Sequence, residues 1–377
     1  MAGYHEGLEF TRMDGMKTNF DHGGNVFAIA RSLGVRPEDI LDFSASINPL
    51  GPAPGVRDAL SALFDRIVHY PDSDCAELRE ALARVHGVEP ANICVANGST
   101  ELIYLLPRLA PGKRALVITP CFSEYAKALM RDGWSVDRFQ LASADGFTLP
   151  LERLEKSIRK GYDLLILGNP GNPTGRLYRL SEVEALFGLC RGAGCFLVID
   201  EAFIDFCEEE SAKHHAAAIE GSIVLRSLTK FYALPGLRLG YAVASAMTIA
   251  RLAAIREPWS VNTPAQEAGL ASLADTGYSV ATRKFVAAER THLSARLAAI
   301  PGLQPFPSAA NFLLVEAVRG PSAGELAGRL HEELILIRVC TDFPGLNDRF
   351  FRVAVRSRNE NERLVATLAT TVADAAR

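Results

Sequence analysis

The chain has 377 residues, of which 48% are hydrophobic and 22% charged, and 40 Lys+Arg against 44 Asp+Glu leave a formal charge of −4. At roughly 150 residues per domain, this length allows two or three domains or one large α/β unit with an appendage. The near-neutral balance argues against nucleic acid as a partner, because phosphate-backbone binding needs a clustered basic excess. No run reaches the ~18 apolar residues of a membrane span.

Residues 1–20 mix acids, bases and polar groups and lack the apolar core of a signal peptide. The seven cysteines (75, 94, 121, 190, 195, 207 and 340) form no CxxC pair and read as reduced thiols of a cytoplasmic protein. Cys190 and Cys195 have no second pair at ligand spacing, so no metal is expected.

The first 50 residues, rich in Gly, Asn and Pro, read as mostly irregular. From Ile93 to Ala244, short apolar runs alternate with helix-length segments. The runs are Ile93–Ala96, Ala115–Thr119, Val136–Leu141, Asp163–Leu167, Cys195–Ile199, Ser222–Arg226 and Tyr241–Ala244. The helical stretches between them include Glu101–Leu109, Ser123–Arg131 and Ser181–Arg191. This alternation predicts an α/β fold with a mainly parallel, doubly covered sheet, and the wholly apolar Cys195–Ile199 predicts a central strand. After Pro258 come long helical patterns (Gln266–Ala274, Val280–Ile300), strand-like runs (Asn311–Glu316, Ile335–Val339, Phe350–Val355) and a final helix. The expected division is a large domain over 55–265 and a smaller α+β domain formed by 1–54 and 266–377.

The chemically informative residues follow the predicted strands, where ligands of open α/β sheets bind. Asn97-Gly-Ser-Thr100 opens a helix with hydroxyls and free N–H groups suited to an anion, although an ordinary cap has the same form. Phe122 offers an aromatic ring at a strand end, or simply a core residue. Asn169-Pro-Gly-Asn-Pro-Thr-Gly175 is a turn-forming run containing Asn172. Asp200 and Glu201 end the central strand, where a carboxylate needs a cation or donors. The stretch Arg226–Gly240 holds Ser227, Thr229, Lys230 and Arg238. Its apolar flanks predict a desolvated, nucleophilic amine at Lys230.

Together an anion-binding helix start, a stacking ring, an Asn, an Asp and a desolvated Lys are what pyridoxal 5′-phosphate requires. No GxxxxGK[ST] or HExxH occurs, and no GxGxxG follows a predicted strand.

The NPxNPTG run, Asp200-Glu-Ala and the SxTK…GLRLGY block resemble, in order and spacing, the fold type I pyridoxal-phosphate enzymes of the aspartate aminotransferase class. The resemblance extends from about His22 to Leu368. It is narrowest to the L-threonine-O-3-phosphate decarboxylases of cobalamin biosynthesis, a branch beside the histidinol-phosphate aminotransferases. That narrower match is carried by His22–Asn25, Asp42–Gly51, Asp200–Phe206, Pro258–Asn262, Ile337-Arg338 and Phe351–Arg356.

The resemblance implies a Schiff base at Lys230, Asp200 at the pyridine nitrogen, Asn172 at the phenolic oxygen and Phe122 against the ring. Ser99, Thr100, Ser227 and Arg238 would hold the cofactor phosphate, with Thr229 beside them. Tyr70 would reach in from a second subunit, implying a homodimer with sites at the interface. Arg352 would take the substrate carboxylate, while Arg338 and His22 would face the phosphate of a phosphorylated amino acid. Phe203 replaces a Tyr usual in the aminotransferase branch, and Ser46 stands where the decarboxylase pattern has Asn.

Overall fold

The computed structural model describes residues 23–375. The first strand, β1 (Leu41–Asp42), is short and lies away from the main sheet. The main sheet is built from β2 (Ile93–Ala96), β3 (Arg114–Thr119), β4 (Ser135–Gln140), β5 (Leu164–Gly168), β6 (Phe196–Asp200), β7 (Ser222–Ser227) and β8 (Gly240–Ala244). Their order across the sheet is β2-β8-β7-β6-β5-β3-β4. All neighbours pair in parallel except β8, which runs antiparallel to both β2 and β7. The carboxyl ends of β2, β3, β5, β6 and β7 therefore share one edge. The reversed β8 starts there too, with Gly240 opposite both Ala96 and Ser227.

Both faces of this sheet are covered, which explains the continuous apolar runs. On β3, Leu116 and Ile118 join one core cluster while Ala115 and Val117 join the other. On β6, Leu197 and Ile199 alternate in the same way with Phe196 and Val198. Each predicted strand of this sheet forms within a residue of its expected limits.

Four strands make a second sheet, β9 (Leu303–Pro305), β10 (Phe312–Ala317), β12 (Arg338–Val339) and β13 (Phe350–Ala354), all antiparallel, in the order β12-β13-β10-β9. Helices Thr276–Ala298 and Arg358–Ala375 cover it with Val286, Leu293, Leu364 and Leu368. The remaining strand, β11 (Ile335–Leu336), pairs in parallel with β1 and ties the amino-terminal segment to this part of the molecule.

The structure differs from the expected elements at several points. The run Ile335–Val339 is not one strand: Ile337 separates β11 from β12, which belong to different sheets. The first 50 residues contain helix Val26–Leu33 as well as β1, and its apolar side rests on Ile40 and Leu336. Helices Pro54–Ser61, Ala76–His86, Leu151–Ile158, Ala246–Ile255 and Ala323–Glu332 also form where no helix was read. The expected division at 265/266 runs through helix Thr263–Ala274. Its Ala265 and Ala268 pack in one cluster with Val56 and Leu78 of the large-sheet layer.

Candidate active site

A cavity of about 400 Å³ opens at the shared strand edge. Ser99 and Thr100, just beyond β2, begin helix Gly98–Leu109 and line one end of it. Gly98 has φ +77°, and a Cβ there would lie 3.0 Å from Arg238 Nη2. The Arg238 guanidinium thus sits over the helix start, its Nη1 donating to the Pro235 carbonyl at 3.1 Å. The approach of β8 is equally close, since a Cβ on Gly240 would meet the Ser99 nitrogen at 2.5 Å. Ser227 and Thr229 complete this end, their hydroxyl oxygens 2.7 Å apart. Free N–H groups, the helix dipole, hydroxyls and a guanidinium converge there as a phosphate-sized anion requires.

Asp200 lines the same cavity, buried at the end of β6. The Tyr125 hydroxyl donates to its Oδ2 at 2.6 Å and the Ala202 N–H to its Oδ1 at 3.0 Å. Burial raises the Asp200 pKa, while these two donors pull it down. No cationic side chain among the described residues forms an ion pair with it. Tyr125 is a site residue that the sequence reading missed. Phe122 lies just before helix Glu124–Arg131, and its ring meets that of Tyr125 edge-on with centroids 5.8 Å apart.

Lys230 lines the same cavity. Burial, then the charges of Arg352 and Arg238, lower its pKa to about 8. Among the described residues its amine makes no hydrogen bond or ion pair. Its backbone is fixed from the other side, because the Asn48 N–H donates to the Lys230 carbonyl at 3.0 Å. The Asn48 side chain also donates to the Phe231 carbonyl at 2.9 Å and to Tyr278 Oη at 2.8 Å. The amino-terminal Asn-Pro run is thereby anchored beneath the lysine loop.

Asn172 and Phe122 line the same cavity, as do Ser46, Arg338 and Arg352. Arg352 donates through Nη1 to Asn172 Oδ1 and through Nη2 to the Ser44 carbonyl at 2.9 Å. Burial lowers its pKa to about 10. Its Nε–H and the Ser46 hydroxyl are both buried without a hydrogen-bond partner among the described residues. Arg338 and Arg352 are direct cross-strand partners on β12 and β13. Two guanidinium groups opposite one another repel, so this pair is arranged to receive anions.

Two sequence-predicted residues lie elsewhere. Tyr70 is 79% exposed, outside the cavity, with its ring stacked 4.7 Å from that of Trp259. His22 lies outside the described residues. All seven cysteines are buried and unpaired. No helix among the described residues is long and apolar enough to cross a membrane.

The donor set fits pyridoxal phosphate. It combines an anion cradle, a buried carboxylate and a desolvated amine, the last two without an ion-pair partner among the described residues.

The comparisons agree with this geometry. The family model for aminotransferase class I and II matches residues 38–368. The chain is 42% identical to a threonine-phosphate decarboxylase from Salmonella typhimurium over 352 residues, 93% of this chain and 96% of that one. Among solved structures, a histidinol-phosphate aminotransferase from Clostridium acetobutylicum superposes with a TM-score of 0.84 at 28% identity, covering 89% of this chain and 100% of that one. An L-threonine-O-3-phosphate decarboxylase from Porphyromonas gingivalis gives 0.78 at 28% identity, covering 88% and 99%. The chain belongs to the aminotransferase class I and II family and is a fold type I enzyme of pyridoxal phosphate.

Proposed function

We propose that this protein decarboxylates L-threonine O-3-phosphate to (R)-1-amino-2-propanol O-phosphate and carbon dioxide, within cobalamin biosynthesis. The observation that carries this reading is the cross-strand pair Arg338 and Arg352 in the same cavity as Lys230. Two neighbouring cations suit a small amino acid bearing both a carboxylate and a phosphate. The 42% identity to a threonine-phosphate decarboxylase supports the choice within the family.

Bound pyridoxal phosphate supplies an electron sink for a bond broken at the substrate Cα. The protein's part is to hold the cofactor and to choose that bond. Ser99, Thr100, Ser227, Thr229 and Arg238 would hold the cofactor phosphate, Asp200 its ring nitrogen and Asn172 its phenolic oxygen, while Phe122 would pack on its ring and Lys230 would hold the cofactor at rest. Arg352 would grip the α-carboxylate and so orient the substrate. Arg338 fixes the substrate phosphate with His22, and Ser46 contributes a hydroxyl nearby. The ammonium form of Lys230 delivers a proton to Cα as carbon dioxide leaves.

An exposed apolar strip supports assembly as a homodimer: Phe64, Ile67, Val68, Tyr70 and Trp259 are each at least half exposed. Contiguous apolar surface of this kind marks an interface, and it would let Tyr70 enter the neighbouring subunit's site. Sedimentation of a fully active monomer would sink this assignment. Seven unpaired thiols support residence in the reducing cytoplasm.

A second reading, histidinol-phosphate aminotransferase, is favoured by the higher TM-score of that relative, 0.84 against 0.78. The two readings differ in which Cα bond the protein would present for cleavage. The deciding assay incubates cofactor-loaded protein with L-threonine O-3-phosphate and no keto acid, following carbon dioxide. Histidinol phosphate with 2-oxoglutarate is tested in parallel for glutamate. Carbon dioxide without glutamate is expected, and glutamate without carbon dioxide would overturn the decarboxylase.

A further inference from the structure

Arg338 stands in the wall between the site cavity and a neighbouring cavity of about 490 Å³. Its Nη2 donates to Asp342 Oδ2 at 2.6 Å, and Asp342 lines only the neighbouring cavity. Its Nη1 donates to the Val339 carbonyl. Phe343, a wall of the site cavity, places its ring centroid 5.0 Å from the guanidinium carbon. The guanidinium itself is buried, whereas 34% of the Asp342 side chain meets solvent.

We propose that Asp342 is an internal competitor for the substrate phosphate, holding Arg338 from the neighbouring cavity and thereby setting how tightly substrate and product bind. The inference rests on the reading of Arg338 as the phosphate contact. Asp342 and the Val339 carbonyl each take one of the five N–H groups of the guanidinium, and Asp342 draws Nη2 toward the neighbouring cavity, so a phosphate that engages both Nη groups from the site side competes with Asp342 for the cation. The apparent affinity for phosphate is then reduced by the fraction of time that Asp342 holds the cation.

The chemistry gives this competition a purpose. Decarboxylation removes the carboxylate and leaves the phosphate on the product, so the Arg338 contact is equally strong before and after reaction. Such uniform binding lowers KM and retains product without raising kcat. A carboxylate that returns to Arg338 as the product departs weakens the hold on both species. It also spares the buried guanidinium from standing without a counter-charge beside Arg352.

The test titrates the pyridoxal-phosphate-loaded enzyme with inorganic phosphate by calorimetry, and measures KM and kcat for L-threonine O-3-phosphate. The variants are Asp342→Asn, Asp342→Ser, Asp342→Glu and Arg338→Gln. The two neutral substitutions at 342 are expected to tighten phosphate binding about tenfold and to lower KM by a similar factor with no gain in kcat. Asp342→Glu keeps a carboxylate and is expected to stay near wild type, and Arg338→Gln to bind phosphate more weakly. Unchanged or weaker phosphate binding in both neutral variants, with Arg338→Gln impaired, would overturn the competitor role alone. Wild-type phosphate binding in Arg338→Gln would overturn the reading of Arg338 on which it rests.

Discussion

At the ends of β6 and β7, residues one position apart meet opposite fates. Asp200 and Ser227 line the site cavity, whereas Glu201 and Arg226 are fully or almost fully buried among other charges. Arg226 donates through Nη2 to Asp205 Oδ1 at 2.9 Å and Glu208 Oε2 at 2.5 Å, and through Nη1 to Glu201 Oε2 at 3.4 Å. Glu201 also accepts from the Ser211 hydroxyl at 2.6 Å and the Ala212 N–H at 2.7 Å. Burial nonetheless pushes the Glu201 carboxyl up to about 7. The Arg226 Nη groups are thus matched by carboxylates from within the fold. The cavity side is left open: among the described residues the Lys230 amine has no partner and the Asp200 carboxylate no cation. The same strands thus carry charges that hold the structure and charges reserved for a ligand, and strand alternation separates the two sets.

Substitutions on each side should therefore have different consequences. Lys230→Ala is expected to lower product formation by about 10⁴-fold or more, as loss of a nucleophile that acts with its neighbours does, and to abolish the yellow absorbance of the loaded enzyme. Its denaturation midpoint should not fall, because the lysine side chain contributes no hydrogen bond among the described residues. Full activity in this variant would break the distinction between the two sides.

The opposite pattern is expected for Arg226→Met. Removing the cation leaves Glu201, Asp205 and Glu208 facing one another, so stability should drop by about 3–5 kcal/mol, as when one member of a buried pair is lost. Chemical denaturation would show it. An unchanged midpoint would mean that these carboxyls are protonated and need no cation.

Tyr125→Phe tests the boundary between the sides with a smaller effect. It deletes one donor to a buried carboxylate while keeping the ring. A hydrogen bond to a charged group contributes about 1.5–3 kcal/mol, so activity should fall by roughly 10- to 100-fold. The accompanying rise in the Asp200 pKa should appear as a shifted pH titration of the cofactor absorbance, which a purely structural loss would not produce.

The smallest effect is the dependence of cofactor capture on pH. Only the neutral amine of Lys230 can attack the cofactor carbonyl, and its pKa is lowered from 10.5 to about 8. Capture by cofactor-free protein should accelerate with pH and level off above about 8, followed by stopped-flow absorbance. Between about 8 and 10.5 the unfolded chain binds a proton that the folded chain has shed, so cofactor-free protein should gain stability as pH rises through that window. Lys230→Met should flatten this gain.

Much of this was legible in the residues. The seven strands of the main sheet could be read because a sheet buried on both faces demands uninterrupted apolar runs. The helices at 54–61, 76–86 and 246–255 were equally legible, because each carries an amphipathic pattern in its own residues. The split of Ile335–Val339 had no local signal. Nothing in the run itself says that β1 will take one half and β13 the other.

The sequence by itself determined the strand runs and the residue types at their carboxyl ends, and from these the cofactor chemistry, because hydrophobic periodicity and turn composition are local properties. Only the tertiary structure decided that Tyr125 supports Asp200, that Arg338 and Arg352 stand opposite one another, and that Asp342 contests the first of them. These depend on strand register and on approaches between segments up to 75 residues apart in sequence. Charge interactions fall off with distance in space, and position along the chain does not report that distance.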